Sequence, residues 1–120
     1  MKDGSILQQK TYSFAIRIVK AHQYLVAVKK EYVLSKQLLR CGTSIGANTE
    51  EALGGQSEKD FTAKLGIVYK EAREAHYWIR LMRDTHYFEE TQASSLITDC
   101  EEILKITGSI IKTMKAKLKS

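Results

Sequence analysis

Apolar residues recur along the chain at alternating three- and four-residue spacing, which places them on one face of a helix. The first segment carries Leu7, Phe14, Ile18, Ala21, Leu25 and Val28, with Thr11 filling the place between Leu7 and Phe14. The second carries Leu34, Leu38, Cys41, Ile45, Asn48 and Ala52. The third carries Phe61, Leu65, Val68, Ala72, Ala75, Ile79 and Met82. The fourth carries Leu96, Cys100, Ile103, Thr107, Ile110 and Met114. Each reads as a seam of a/d type. Four seams predict an all-α protein, an antiparallel up-down-up-down four-helix bundle occupying 1–120 as a single domain.

The residues between seams supply the stops and starts. Lys29 to Tyr32 is a charged break, and Gly54-Gly55 is a stop at which glycine is expected in the left-handed conformation. Ser57 reads as an N-cap with Asp60 three residues on. Thr85 to Glu90 is the third connection, with a helix starting at Glu89–Glu90 or Thr91. The third helix then has about 27 residues. Connections this short make successive helices antiparallel. On the charged faces, i,i+4 spacing predicts the pairs Asp60–Lys64, Lys70–Glu74 and Arg80–Asp84.

Composition narrows the classes without changing this picture. There is no proline and there are 7 glycines, few turn residues for a many-stranded sandwich or barrel. Hydrophobic residues are 43% and charged residues 28%, which argues against a disordered chain. No apolar run is long enough to span a membrane, and the opening residues lead into Gln8, Gln9 and Lys10 rather than an apolar leader. The expected location is cytoplasmic. Cys41 and Cys100 both fall on seams and are expected as buried free thiols.

Two features exceed what a bundle core needs. Flanking apolar residues (Tyr12, Ala15, Val19 and Val26; Ile67, Trp78 and Leu81; Ile97, Leu104 and Ile111) widen the stripes and predict self-association. Gly42 and Gly46 lie one turn apart inside a helix, where each costs about 1 kcal/mol relative to alanine. Close approach of a neighbouring backbone is the expected return. Asn48, a polar residue on a seam, is suited to specifying register or oligomer state. Gly42, Gly46, Asn48 and Trp78 are therefore the candidate packing or oligomer residues.

Charge adds a candidate interface. Lys+Arg is 19 against 14 Asp+Glu, a net of +5, and the excess lies in residues 1–30, which hold six basic groups against Asp3. Lys10, Arg17 and Lys20 follow seven-and-three spacing, and Lys29, Lys30, Lys36 and Arg40 continue the basic character. These seven are candidate phosphate contacts, favouring RNA or DNA without base reading.

Catalytic and metal chemistry find little support. A di-metal bundle needs Glu-x-x-His, but Val19, Arg73 and Arg83 stand three places before His22, His76 and His86. There is no zinc-spaced cysteine pair and no phosphate-binding glycine loop, so no metal or cofactor is expected. Arg17 with His22 and Arg80 with His86 have roughly the spacing of HEPN-type helical ribonucleases, with apolar Ile18 and Leu81 where a polar residue is usual. That leaves a nuclease as one alternative and a protein-interaction scaffold as another.

Residues 33–40 (Val-Leu-Ser-Lys-Gln-Leu-Leu-Arg), residues 42–48 (Gly-Thr-Ser-Ile-Gly-Ala-Asn) with Glu51-Ala52, Lys59-Asp60-Phe61 after Ser57, and residues 70–74 (Lys-Glu-Ala-Arg-Glu) resemble a bacterial family. It is the four-helix-bundle family of 23S rRNA-intervening-sequence proteins, named for reading frames inside intervening sequences of ribosomal RNA genes. That family is similar in turn to accessory variability determinants of diversity-generating retroelements. The resemblance implies an up-down four-helix bundle that assembles as a homopentamer and, through the retroelement proteins, contact with nucleic acid and with a reverse transcriptase or other protein partner. It implies no activity, and the expectation is a protein that is not an enzyme.

Overall fold

The computed structural model of the chain describes residues 2–119, with side chains described for 4–119. Lys2 and Asp3, counted in the basic first segment, lie outside the described side chains. Four helices follow one another: α1 (Lys2–Ala27), α2 (Leu34–Leu53), α3 (Glu58–Asp84) and α4 (Glu90–Lys119). No strand occurs among the described residues. The backbones of α1 and α2, α2 and α3, α3 and α4, and α4 and α1 approach closely, while those of the diagonal pairs stay farther apart. The result is an up-down-up-down square bundle, 51 Å long and 21 Å across.

The four seams meet at its axis. Leu7, Phe14, Ile18 and Leu25 of α1 are buried against Leu38, Cys41 and Ile45 of α2, with the α3 seam from Leu65 to Met82 and the α4 seam from Leu96 to Met114 completing the core. Two seam expectations shift. Val28 lies just past the end of α1 and is exposed, so the first seam closes at Leu25. On α2 the buried place falls to Thr49, whose hydroxyl donates to the Ile45 carbonyl at 2.8 Å, while Asn48 is only half-buried at the flank.

The turns use different chemistry from that expected. Neither Gly54 nor Gly55 is left-handed; Gly54 sits at φ −89°. Gly55 serves by close approach instead, since a Cβ there would lie 2.8 Å from the Asp60 carboxylate and 3.0 Å from the Ala52 carbonyl. The left-handed residues are Lys30 (φ 55°) and His86 (φ 68°), one in the first connection and one in the third. Ser57 caps α3 as its sequence predicts, accepting from the Asp60 N–H at 3.0 Å. α3 has the anticipated 27 residues.

The start of α2 is capped by an acid from the preceding connection. Glu31 accepts the Ser35 N–H at 2.7 Å and the Val33 N–H at 3.3 Å, and its carbonyl accepts the Ser35 hydroxyl at 2.7 Å. Burial alone would raise the Glu31 carboxyl pKa. The N–H groups of Ser35, Leu34 and Val33 outweigh it and hold the carboxyl below its ordinary range.

Candidate nucleic-acid interface

The α1–α2 contact is set by the two helical glycines. A Cβ on Gly42 would fall 2.7 Å from Cγ2 of Ile18, and one on Gly46 would fall 3.3 Å from the Thr11 carbonyl oxygen. Removing both side chains lets the α2 backbone lie against α1. Their packing role is thus within the chain. Asn48 turns its amide to its own helix, donating to the Ser44 carbonyl and hydroxyl, each at 2.9 Å. Trp78 is half-buried, donates its indole N–H to Glu74 at 3.0 Å and stacks edge-on against Tyr77.

The seven basic candidates divide into two sets. Lys10 pairs with Glu102 of α4. Arg17 reaches Asp99 of α4 at 2.5 Å and the Ser95 hydroxyl at 2.9 Å. Arg40 of α2 pairs with Glu74 of α3 and lies 3.3 Å from Glu71, whose side chain is only 13% exposed. These three staple neighbouring helices, and a phosphate would have to displace a carboxylate to reach them. Each such partly exposed pair contributes about 0.2–1 kcal/mol. Lys20, Lys29, Lys30 and Lys36 are exposed and make no ion pair among the described residues. They occupy the last two turns of α1, the first connection and the first turn of α2, at one end of the bundle.

The expected i,i+4 pairs give way to other partners. Lys64 pairs with Glu51 of α2 at 3.6 Å rather than with Asp60. Glu74 is taken by Arg40 and Trp78 rather than by Lys70. Asp84 is held by its neighbour Arg83 at 2.8 Å rather than by Arg80. Acids on adjacent helices and neighbouring residues offer competing geometry, and isolated surface pairs of a few tenths of a kcal/mol do not resist it.

The spaced Arg and His pairs of the nuclease alternative do not meet. Arg17 is committed to α4, and among the described residues His22 makes no hydrogen bond or ion pair. Arg80 donates to Nδ1 of His76 at 3.0 Å rather than to His86, which is exposed in the third connection. Nε2 of His76 faces Glu101 at 3.1 Å. The His76–Arg80 contact is an i,i+4 pair on α3, so a signal for it stood in the sequence beside the one that drew attention to His86.

Both cysteines are free and buried, as their seam positions require. Cys100 donates to the Ala72 carbonyl of α3 at 3.2 Å. Burial pushes both thiols up to about 12, so neither is a thiolate at neutral pH. Among the described residues no group of three or more potential ligands could hold a metal ion. No helix among them is long and apolar enough to cross a membrane.

These observations define an antiparallel four-helix bundle in which three of the seven candidate basic residues are paired across neighbouring helices, while four near the α1–α2 connection make no ion pair among the described residues. The chain belongs to the family described as 23S rRNA-intervening sequence protein, whose profile matches residues 4–109. It is similar to a crystal structure of a protein of unknown function from the S23 ribosomal protein family of Bacteroides thetaiotaomicron. The identity is 48%, the TM-score is 0.90, and the match covers 93% of this chain and 99% of the other. No curated protein matches the chain.

Proposed function

We propose that the protein is a cytoplasmic, non-enzymatic accessory factor that assembles as a homopentamer and binds RNA or DNA weakly and without sequence preference. The observation that carries the nucleic-acid reading is the exposed, unpaired set Lys20, Lys29, Lys30 and Lys36 at one end of the bundle. Repeated around a ring, that end would present a positive rim to phosphates. Self-association is supported by Tyr12, Ile16 and Val19, which share the outward face of α1 by four-and-three spacing and are 65%, 44% and 40% exposed. The family's likeness to retroelement accessory determinants adds a reverse transcriptase as a candidate partner.

The test is binding of nuclease-treated protein to short labelled RNA and DNA across about 50 to 300 mM salt. The expected result is a linear fall of log affinity with log salt. The triple variant Lys29→Glu, Lys30→Glu, Lys36→Glu should flatten that slope, while Lys10→Ala should barely alter it. Absence of binding at the lowest salt would overturn the nucleic-acid reading. Light scattering at one chain mass would overturn the ring. A protein-interaction scaffold is the second reading, favoured by an apolar groove on the opposite side of the bundle from the α1–α2 contact.

A further inference from the structure

The first half of α3 and the last third of α4 meet in the core but leave their outer surface open. Between residues 59–69 and 108–119 lies an open groove of about 1030 Å³, against about 390 Å³ for the cleft at Lys10. Its floor is small and aliphatic: Ala63, Gly66, Gly108, Ile111 and Leu118. Gly66 is exposed, and a Cβ there would meet nothing within 4 Å. The edges carry Lys59, Lys112, Lys115 and Lys119. None of these lysines makes an ion pair among the described residues, and no acidic side chain lines the groove.

We propose that this groove docks an acidic amphipathic helix of a partner protein. An apolar floor bordered by uncompensated lysines matches a helix with an apolar stripe flanked by glutamate or aspartate. Gly66, with open space where a Cβ would stand, admits a close backbone, and the groove spans roughly 17 Å of α4, about three helical turns. A second copy seated groove to groove in a two-fold contact would set four lysines against four lysines. Single-stranded nucleic acid would want stacking platforms, and Tyr69 is the one aromatic in the lining.

The probe is a fluorescein-labelled synthetic peptide of about 14 residues, with leucines at three-four spacing flanked by glutamates. Two controls accompany it: a shuffled peptide of the same composition and a version with lysines in place of glutamates. Anisotropy should show the glutamate helix binding at least tenfold tighter than the shuffled peptide. Gly66→Phe should weaken it by about tenfold or more with an unchanged thermal transition, because the ring enters open space. Lys112→Glu with Lys115→Glu should reverse the preference toward the lysine-flanked peptide. Equal binding of the shuffled peptide, or no effect of Gly66→Phe, would overturn the proposal. So would displacement of the peptide by a short RNA whose own binding is lost in Gly66→Phe, since the groove would then be a nucleic-acid site. Loss of self-association in Gly66→Phe by sedimentation would overturn it as well, assigning the groove to a second copy.

Discussion

Between α1 and α2, glycine brings two helices together; between α3 and α4, it leaves them with a groove. Gly42 and Gly46 face Ile18 and the Thr11 backbone so closely that no side chain fits without movement. On the other side, a Cβ on Gly108 would meet the Tyr69 ring at ordinary contact distance, and one on Gly66 would face open space. The same residue, with the same helix penalty, is compensated by packing in one place and uncompensated in the other. A helical glycine therefore says little by itself; what a Cβ would meet decides its role. Buried hydroxyls divide along similar lines. Thr11 and Thr49 donate to carbonyls of their own helices, whereas the fully buried Thr107 hydroxyl on α4 has no partner among the described residues.

The sharpest way to break this comparison is Gly42→Leu. Overpacking against the fully buried Ile18 should cost about 3 kcal/mol by urea denaturation. A loss well under 1 kcal/mol would mean the contact is looser than the geometry indicates. Thr107→Val should raise stability by about 1 kcal/mol, because it removes an unsatisfied buried hydroxyl at nearly constant shape. A destabilised Thr107→Val would point to a partner for that hydroxyl, such as a buried water.

Glu31→Ala removes the cap that fixes the entry to α2 and should cost about 1 kcal/mol at pH 7. The folded-state carboxyl is held below its ordinary pKa, so its contribution is complete above the unfolded value, about 4.3, and fades as pH falls through the folded value. The stability gap between wild type and Glu31→Ala should hold from pH 7 to about 5 and close at lower pH. A gap that widened on acidification would reverse the assigned role. Gly66→Ala should gain about 0.8–1 kcal/mol, the ordinary helix preference with nothing to clash against. The smallest effect belongs to Arg17→Ala, a few tenths to about 1 kcal/mol in thermal melts, declining with added salt.

Much of the architecture was legible along the chain. From Leu65 to Met82 and from Leu96 to Met114, every seam position is buried, because the period of a helix is local and the core needs only one face. Ser57 capping was legible for the same reason, its partner being three residues away. The left-handed conformation was misplaced because it depends on how each connection must turn, and Lys30 and His86 take it without being glycine. Of the candidate interface, the basic residues were visible and their availability was not. Asp99 stands 82 positions from Arg17, and Glu74 stands 34 from Arg40.

By itself, the sequence determined the four helices, their buried faces and their antiparallel order, since spacing, caps and short connections act over a few residues. Only the tertiary structure decided which lysines and arginines keep their charge exposed, which glycines bear on a neighbour, and where the α3–α4 side stays open. Those outcomes depend on which side chains from distant segments arrive at the same place, and helical period carries no record of that.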